Sequence, residues 1–149
     1  AASARDMKFV VGGTYLAMEG PQFSSLAESE LYRSWNCDVI GMTNMPEAKL
    51  AREAEICYAT IAMVTDFDCW HPNHDAVTVD QIVKVLMGNA DEARALLQNT
   101  IPLLSNDEAA AVCPCQTALE FAIITPPESR DAELVSELSA VAGRVLKNP

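Results

Sequence analysis

Ile56-Cys57-Tyr58-Ala59-Thr60-Ile61-Ala62-Met63-Val64, followed at once by Thr65-Asp66-Phe67-Asp68, is the most hydrophobic segment of the chain and has no internal alternation. A continuous apolar run of this length predicts a parallel strand covered on both faces. Upstream, residues 38–42 carry Val39 and Ile40 in a second short run, and Pro46 opens a helix through Ala48, Leu50 and Ala54. Before that, Ser25 and Glu28 match a capping box and start a helix through Leu26, Ser29, Glu30 and Arg33. Residues 7–18, with Phe9, Val10, Val11, Tyr15 and Leu16 around Gly12 and Gly13, predict a strand in one or two pieces, ended by Gly20-Pro21.

Downstream, residues 66–76 are polar and irregular. Ile82, Leu86, Ala90, Ala93, Leu97 and Ile101 then recur at steps of three and four, which predicts one long amphipathic helix over 78–104 that Gly88 could loosen. Residues 105–114 form a linker and 118–124 a short apolar strand or turn. Residues 128–147 predict a helix burying Leu134, Leu138, Val141 and Val145. Strand and helix in alternation imply an α/β fold with right-handed crossovers and a mostly parallel sheet flanked by helices. In such sheets ligands sit beyond the carboxyl ends of the strands. Met42, Thr43 and Asn44 follow one strand, and Thr65, Asp66 and Asp68 another.

The 149 residues suffice for one domain, and half of them are hydrophobic, so a folded globular chain is expected. A net charge of −11 disfavours nucleic acid or an anionic membrane as partner. No stretch approaches the roughly 20 apolar residues of a membrane span. Residues 1–6 show no apolar leader and could be a processed or truncated end. Five cysteines without scaffold-like spacing and no Asn-x-Ser/Thr acceptor favour a cytoplasmic setting.

Asp66 and Asp68, two apart on an extended chain, would point the same way about 7 Å apart. Such a pair can hold a polar ring, act as acid and base, bind a metal, or simply be a solvated turn. Cys69, His71 and His74 are metal-capable, but no second cluster completes four ligands, so no metal is expected there. Cys113-Pro114-Cys115 is neither a Cys-x-x-Cys redox motif nor half a zinc ribbon; reduced structural thiols or a disulfide fit it. Cys37 and Cys57 border the apolar runs and are expected in the core. No phosphate-binding glycine loop, dinucleotide fingerprint or Gly-x-Ser-x-Gly elbow occurs.

Glu19-Gly20-Pro21-Gln22-Phe23-Ser24-Ser25, Ala27-Glu28-Ser29, Asp38-Val39-Ile40-Gly41-Met42-Thr43 and Pro46-Glu47, in this order, closely resemble the purine nucleoside phosphorylase family. Residues 51–70, ending Thr65-Asp66-Phe67-Asp68-Cys69-Trp70, resemble its branch that cleaves 5′-methylthioadenosine. The likeness is strong over 12–104 and thin beyond. It implies a phosphorylase/hydrolase-like fold, of which residues 1–149 are the C-terminal portion of one domain. The family's glycine-bearing phosphate loop and Arg-His pair belong to an N-terminal half that this chain does not contain.

The resemblance also implies roles. Members acting on 6-oxopurines resemble one another in having Glu after the motif phenylalanine and Asn after the strand-end threonine, whereas this chain has Ser24 and Asp66. Adenine offers an acceptor at N1 and a donor at N6, so an Asp acceptor suits it and an oxopurine would leave the site's groups unpaired. Where nucleoside-cleaving relatives place a His for the 5′-hydroxyl, this chain has Val79, with Ile82 and Val83 one turn on, an apolar wall for a methylthio group. By the same resemblance, Met42 lies against the ribose, Thr43 donates to phosphate or ribose, and Phe23 stacks on the base. Asp66 and Asp68 bind N6 and N7, Ser24 positions Asp66 or a water, and Phe67 joins the substrate-binding set. The implied chemistry is phosphorolysis to adenine and 5-methylthioribose 1-phosphate. Phosphate attacks an oxocarbenium-like sugar and Asp66, as a carboxyl held protonated by burial or by Asp68, protects N7 of the departing base. No metal or organic cofactor is implied; inorganic phosphate is the co-substrate. The implied partners are a homotrimer and an N-terminal half chain. A methylthioinosine or other purine nucleoside phosphorylase or nucleosidase, and a non-catalytic adenine-nucleoside-binding assembly fragment, remain the alternatives.

Overall fold

The structure, a computed structural model, describes residues 1–71, 79–104 and 113–147, with Val79 given by its backbone alone. The chain divides into two compact units. One comprises Ala1–Thr43 with Ile61–Asn106, the other Asn44–Thr60 with Asp107–Pro149.

The first unit is built on a parallel β-α-β pair. Strand β1 (Tyr15–Ala17) pairs with β2 (Val39–Gly41) in the register Tyr15 to Val39, Leu16 to Ile40 and Ala17 to Gly41. Helix α1 (Leu26–Ser34) makes the crossover. The expected capping box starts it: Ser25 Oγ accepts from the Glu28 amide at 3.4 Å, and the Ser25 amide donates back to the Glu28 carboxylate at 2.7 Å. These bonds also lower the Glu28 carboxyl below its ordinary range. A Schellman motif stops the helix: Asn36 takes φ 58°, its amide bonds the Arg33 carbonyl at 2.9 Å, and the Cys37 amide bonds the Tyr32 carbonyl at 3.3 Å. Asparagine tolerates the left-handed region, so the chain reverses there and feeds β2. The expected strand over 7–18 forms ladder bonds only in its last third, because positive φ at Gly12 and Gly13 breaks the extended run.

The long helix α3 (Val79–Leu104) closes this unit and runs without interruption past Gly88. Its apolar stripe is not buried. Leu96 is its one buried large apolar side chain among the described residues, while Leu86, Leu97 and Ile101 are exposed.

In the second unit, α2 (Glu47–Glu53) follows Pro46 as expected. It ends in another Schellman motif, with Glu55 at φ 56°, its amide on the Arg52 carbonyl and the Ile56 amide on the Ala51 carbonyl. Glu55 holds this unusual backbone through its side chain. Arg144 grips the carboxylate in a fork of 2.6 and 2.5 Å, and the Leu119 amide donates to it at 3.1 Å.

The C-terminal region corrects the single helix expected over 128–147. Pro126 and Pro127 open a 3-10 turn (Pro127–Ser129), Asp131 caps α4 (Ala132–Glu137) by accepting from the Glu133 and Leu134 amides, and α5 (Ser139–Leu146) follows. The break falls at Leu138, whose ψ of 0° departs from the helical value. Ala142 is buried there, but Leu134, Leu138 and Val141 are exposed. Residues 118–122 are turns rather than a strand. Phe121 and Ile124 are over 90 % solvent-exposed or close to it, at 90 % and 92 %.

The largest correction concerns residues 56–64. Their backbone joins no ladder, the sheet having two strands only among the described residues, and Ile56, Tyr58, Ile61 and Val64 are all exposed. A strand of this composition needs partners on both edges and cover on both faces, and no described segment supplies them. Cys57, expected in the core, is exposed for the same reason.

The Arg144 fork holds the Glu55 carboxyl down to about 2, with the Leu119 amide adding to the effect. A carboxyl depressed in the folded state contributes stability above its unfolded value of about 4.3 and loses it as pH falls through the folded value. Thermal midpoints should therefore separate Glu55→Gln from the parent at neutral pH, the gap closing between about pH 4.3 and 2. A gap independent of pH would remove charge from the account of this contact.

Candidate functional site

The site residues expected from the sequence lie in the first unit, at the carboxyl end of β2, in the loop before α1, at residues 65–69 and at the start of α3. Met42, Thr43, Asp66, Asp68 and Phe67 are each positioned by a neighbour that can be named.

Met42 and Thr43 leave β2 directly. Gly20 packs against Met42: at φ 69° and with a Cβ that would lie 2.6 Å from the Met42 sulfur, only glycine fits. Thr43 is exposed, and its hydroxyl shares a 3.2 Å hydrogen bond with the Tyr15 hydroxyl. Tyr15 itself crosses over Gly41, where any Cβ would meet the phenol. Strand β1 thus orients the polar end of β2.

Thr65-Asp66-Phe67-Asp68 does not stay extended. Asp68 sits at φ 60°, and its amide donates to Asp66 Oδ1 at 3.0 Å, an Asx turn. Thr65 Oγ1 donates to the other Asp66 oxygen at 2.7 Å. The two carboxylates are consequently not the parallel pair that strand geometry predicts. Asp66 is exposed and locally braced, whereas Asp68 turns inward, accepting a short hydrogen bond from Ser29 and bonding the Cys69 amide at 2.8 Å. Ser29 is the one buried polar residue among those described. Its hydroxyl also lies 3.4 Å from the Cys69 sulfur, which reaches the Ser24 carbonyl at 3.5 Å. Helix α1 and the loop before it are thereby bonded to the aspartate turn. Asn89 of α3 braces the approach, donating to the Val64 carbonyl at 3.0 Å.

Other expected roles are placed differently. Ser24 does not reach Asp66; its hydroxyl points at the Met18 sulfur, 3.8 Å away. Phe23 is 77 % exposed, free of the core and available to a planar ligand. Phe67 packs with Trp70 and His71, at centroid separations of 6.3 and 4.9 Å, and Arg33 lies 3.8 Å above the Trp70 ring. Ile82 is half-buried and Val83 exposed on the first turns of α3; the side chain of Val79 lies outside the described residues, as does His74. Tyr15, Gly20, Ser29 and Asn89 are supporting residues to which the sequence alone gave no role in the site. Ser29 had a visible sign, a serine one turn beyond the Ser25 cap on the same helix face.

Residues 1–102 match the family model described as the phosphorylase superfamily. The chain belongs to the phosphorylase superfamily. It is 58 % identical over 147 residues to the S-methyl-5′-thioadenosine phosphorylase of Bradyrhizobium diazoefficiens, covering 99 % of this chain and 50 % of that protein. Identity to the enzyme of the same name from Cereibacter sphaeroides is 58 % over 149 residues, with 51 % of that protein covered. The chain therefore spans about half the length of the curated phosphorylases it matches.

A methylthioadenosine phosphorylase from an antarctic soil metagenomic library superposes with a TM-score of 0.78 at 50 % identity, over 87 % of this chain and 44 % of that one. The methylthioadenosine phosphorylase of Schistosoma mansoni in complex with adenine gives 0.64 at 33 % identity, over 74 % and 38 %. A mutant of the Schistosoma protein in complex with methylthioadenosine gives 0.62 at the same identity, over 74 % and 37 %. These superfamily members share the α/β fold expected from the sequence. No helix among the described residues is long and apolar enough to cross a membrane.

Proposed function

We propose that this chain is the C-terminal portion of a pentosyltransferase that cleaves 5′-methylthioadenosine with phosphate, giving adenine and 5-methylthioribose 1-phosphate. The observation that carries the reading is the 58 % identity to S-methyl-5′-thioadenosine phosphorylases across nearly the whole chain. It is supported by an exposed, braced carboxyl at Asp66 in the position where an adenine-directed acceptor is expected.

Asp66 is exposed and Asp68 turns away from it, so neither supplies here the burial or the paired acid expected to hold a proton on Asp66. In this reading Asp66 faces N6 and N7 of the base and supplies the proton that the leaving purine takes up once the bound base and the rest of the domain cover it. Asp68, bonded inward to Ser29, acts on the base chiefly by fixing the Asp66 turn. Thr43 donates to phosphate or ribose, steadied by Tyr15; Met42 lies against the sugar, backed by Gly20. Phe23 and Phe67 contact the base, Ser24 ties the loop before α1 to Met18 and Cys69, and Val79, Ile82 and Val83 receive the methylthio group. No cofactor is needed beyond phosphate itself. The phosphate-binding loop comes from the other half of the domain, and the complete enzyme is a cytoplasmic homotrimer serving purine salvage.

Adenine release from methylthioadenosine by the complete enzyme tests this. Turnover should require phosphate, and methylthioinosine should react at least about 10²-fold less efficiently, because its N1–H and O6 reverse the pattern the site offers. Equal release without phosphate would make the enzyme a nucleosidase. Equal use of the 6-oxo compound would remove Asp66 from base recognition.

A further inference from the structure

Away from the substrate residues, the second unit gathers three of the five cysteines. The sulfurs of Cys57, Cys113 and Cys115 all lie within 4.8 Å of one another, and the Cys115 thiol donates to Cys57 at 2.9 Å. Among the described residues no other three metal-capable side chains converge in this way. We propose that Cys57, Cys113 and Cys115 form a three-thiolate site for a soft d¹⁰ cation, Zn²⁺ or Cu⁺.

Geometry and ligand chemistry carry this. Tetrahedral zinc with bonds of about 2.3 Å sets its sulfurs about 3.8 Å apart, so the Cys57 and Cys115 sulfurs, now 2.9 Å apart, must open by about 0.9 Å, and any separation near the 4.8 Å limit must close by about as much. The group holds sulfur alone, with no carboxylate or imidazole, and all-thiolate sets select zinc or cuprous ion over magnesium or calcium. Cys57 is exposed and the other two half-exposed, which leaves a face open to an entering ion and, for zinc, to a water as fourth ligand.

The backbone holds the three in place from both sides. Cys57 follows the Schellman turn of α2, two residues after Glu55. Cys113 and Cys115 flank Pro114 at the mouth of a 3-10 turn (Pro114–Thr117), closed by the Gln116 amide on the Cys113 carbonyl at 3.1 Å. Glu55 ties these two segments together by accepting from the Leu119 amide. The thiols already share protons. Hydrogen bonds from Cys115 and then Cys57 lower Cys113, while Cys115 is pushed up to about 12 by its bonds to Cys113 and Cys57. A cation taking this position replaces those protons, which pass to solvent.

A disulfide is the rival chemistry. It would use two sulfurs, leave the third idle and require an oxidant. The test is an anaerobic titration of the reduced complete enzyme with Zn²⁺ and, separately, Cu⁺, each against a chromophoric chelator. Co²⁺ serves as an optical probe. The expected result is one ion per chain and a thiolate-to-cobalt charge-transfer band. Cys57→Ser, Cys113→Ser and Cys115→Ser should each weaken binding by more than the about 10–100-fold that loss of a supporting group costs. Cys37→Ser should bind as the parent does. The better-held ion of the two identifies the occupant. Absence of the cobalt band in the parent overturns the site whatever the variants do. So does undiminished binding in the three variants, or a Cys57–Cys115 disulfide in protein purified without oxidant.

Discussion

Asp66→Asn should lower kcat of the complete enzyme for methylthioadenosine by about 10²–10⁴-fold, the contribution of a positioned proton donor, with a smaller change in KM. The substitution is close to isosteric. The asparagine carbonyl can still accept from the Asp68 amide, and Thr65 can reverse its hydroxyl to accept from the new NH₂, so the turn that Asp66 organises survives. What disappears is a group that can carry a proton to N7. Asp68→Asn is the necessary comparison. Asp68 is bonded to buried Ser29 and the Cys69 amide, so its loss should loosen the turn and raise KM more than it lowers kcat. Steady-state kinetics on both variants, with chromatography to show unchanged assembly, separates the two acids. If Asp66→Asn turns over as the parent does, the proton comes from elsewhere and the assignment fails.

What the sequence revealed of this site follows the range of the forces involved. Local signals were legible. Ser25 and Glu28 name the start of α1, Pro46 opens α2, and the three-four stripe from Ile82 to Ile101 marks α3, because caps and periodicity are settled within a turn or two of chain. The parallel β1–β2 pair followed from the order of apolar runs, and the polar residues after β2 are where strand-end logic puts them. Asp68 shows how far local pattern reaches. Asp-x-Asp spacing leaves an extended pair and a turn both open, and the turn forms: aspartate tolerates positive φ, and an Asx turn with a buried serine partner outcompetes continued strand. Ser29 lies 39 residues from Asp68, and the three thiols are separated by up to 58, distances across which spacing carries no information. The apolar neighbours of Cys57 point to a core only where the apolar run finds partners, and here Cys57 is exposed.

Expressed alone, this 149-residue chain should release no adenine from methylthioadenosine and should self-associate or bind a hydrophobic dye. Among the described residues Leu96 and Ala142 are the only buried hydrophobic side chains, whereas 28 large apolar ones are exposed. Ordinary monomers carry scattered apolar residues on their surface, but they do not leave a strand-length run such as 56–64 and the stripe of a 26-residue helix uncovered. Unpaired backbone over this run adds the second liability, since free amides and carbonyls can template association with another chain. The same segments are the reason to expect no turnover from the chain alone. Residues 56–64 lead into Asp66, so the aspartate turn is braced by Ser29 and Asn89 on one side while the run feeding it has no ladder. Supplying the remaining half of a related phosphorylase in trans should pair that run, suppress dye binding and bring phosphate-dependent adenine release together, because one docking event satisfies the sheet and delivers the phosphate loop. A monodisperse 16.1 kDa species with turnover of its own would show that the chain needs no completion. Adenine binding that persists without turnover after the half is supplied would instead make this a nucleoside-binding fragment, with the base side of the site surviving apart from its chemistry.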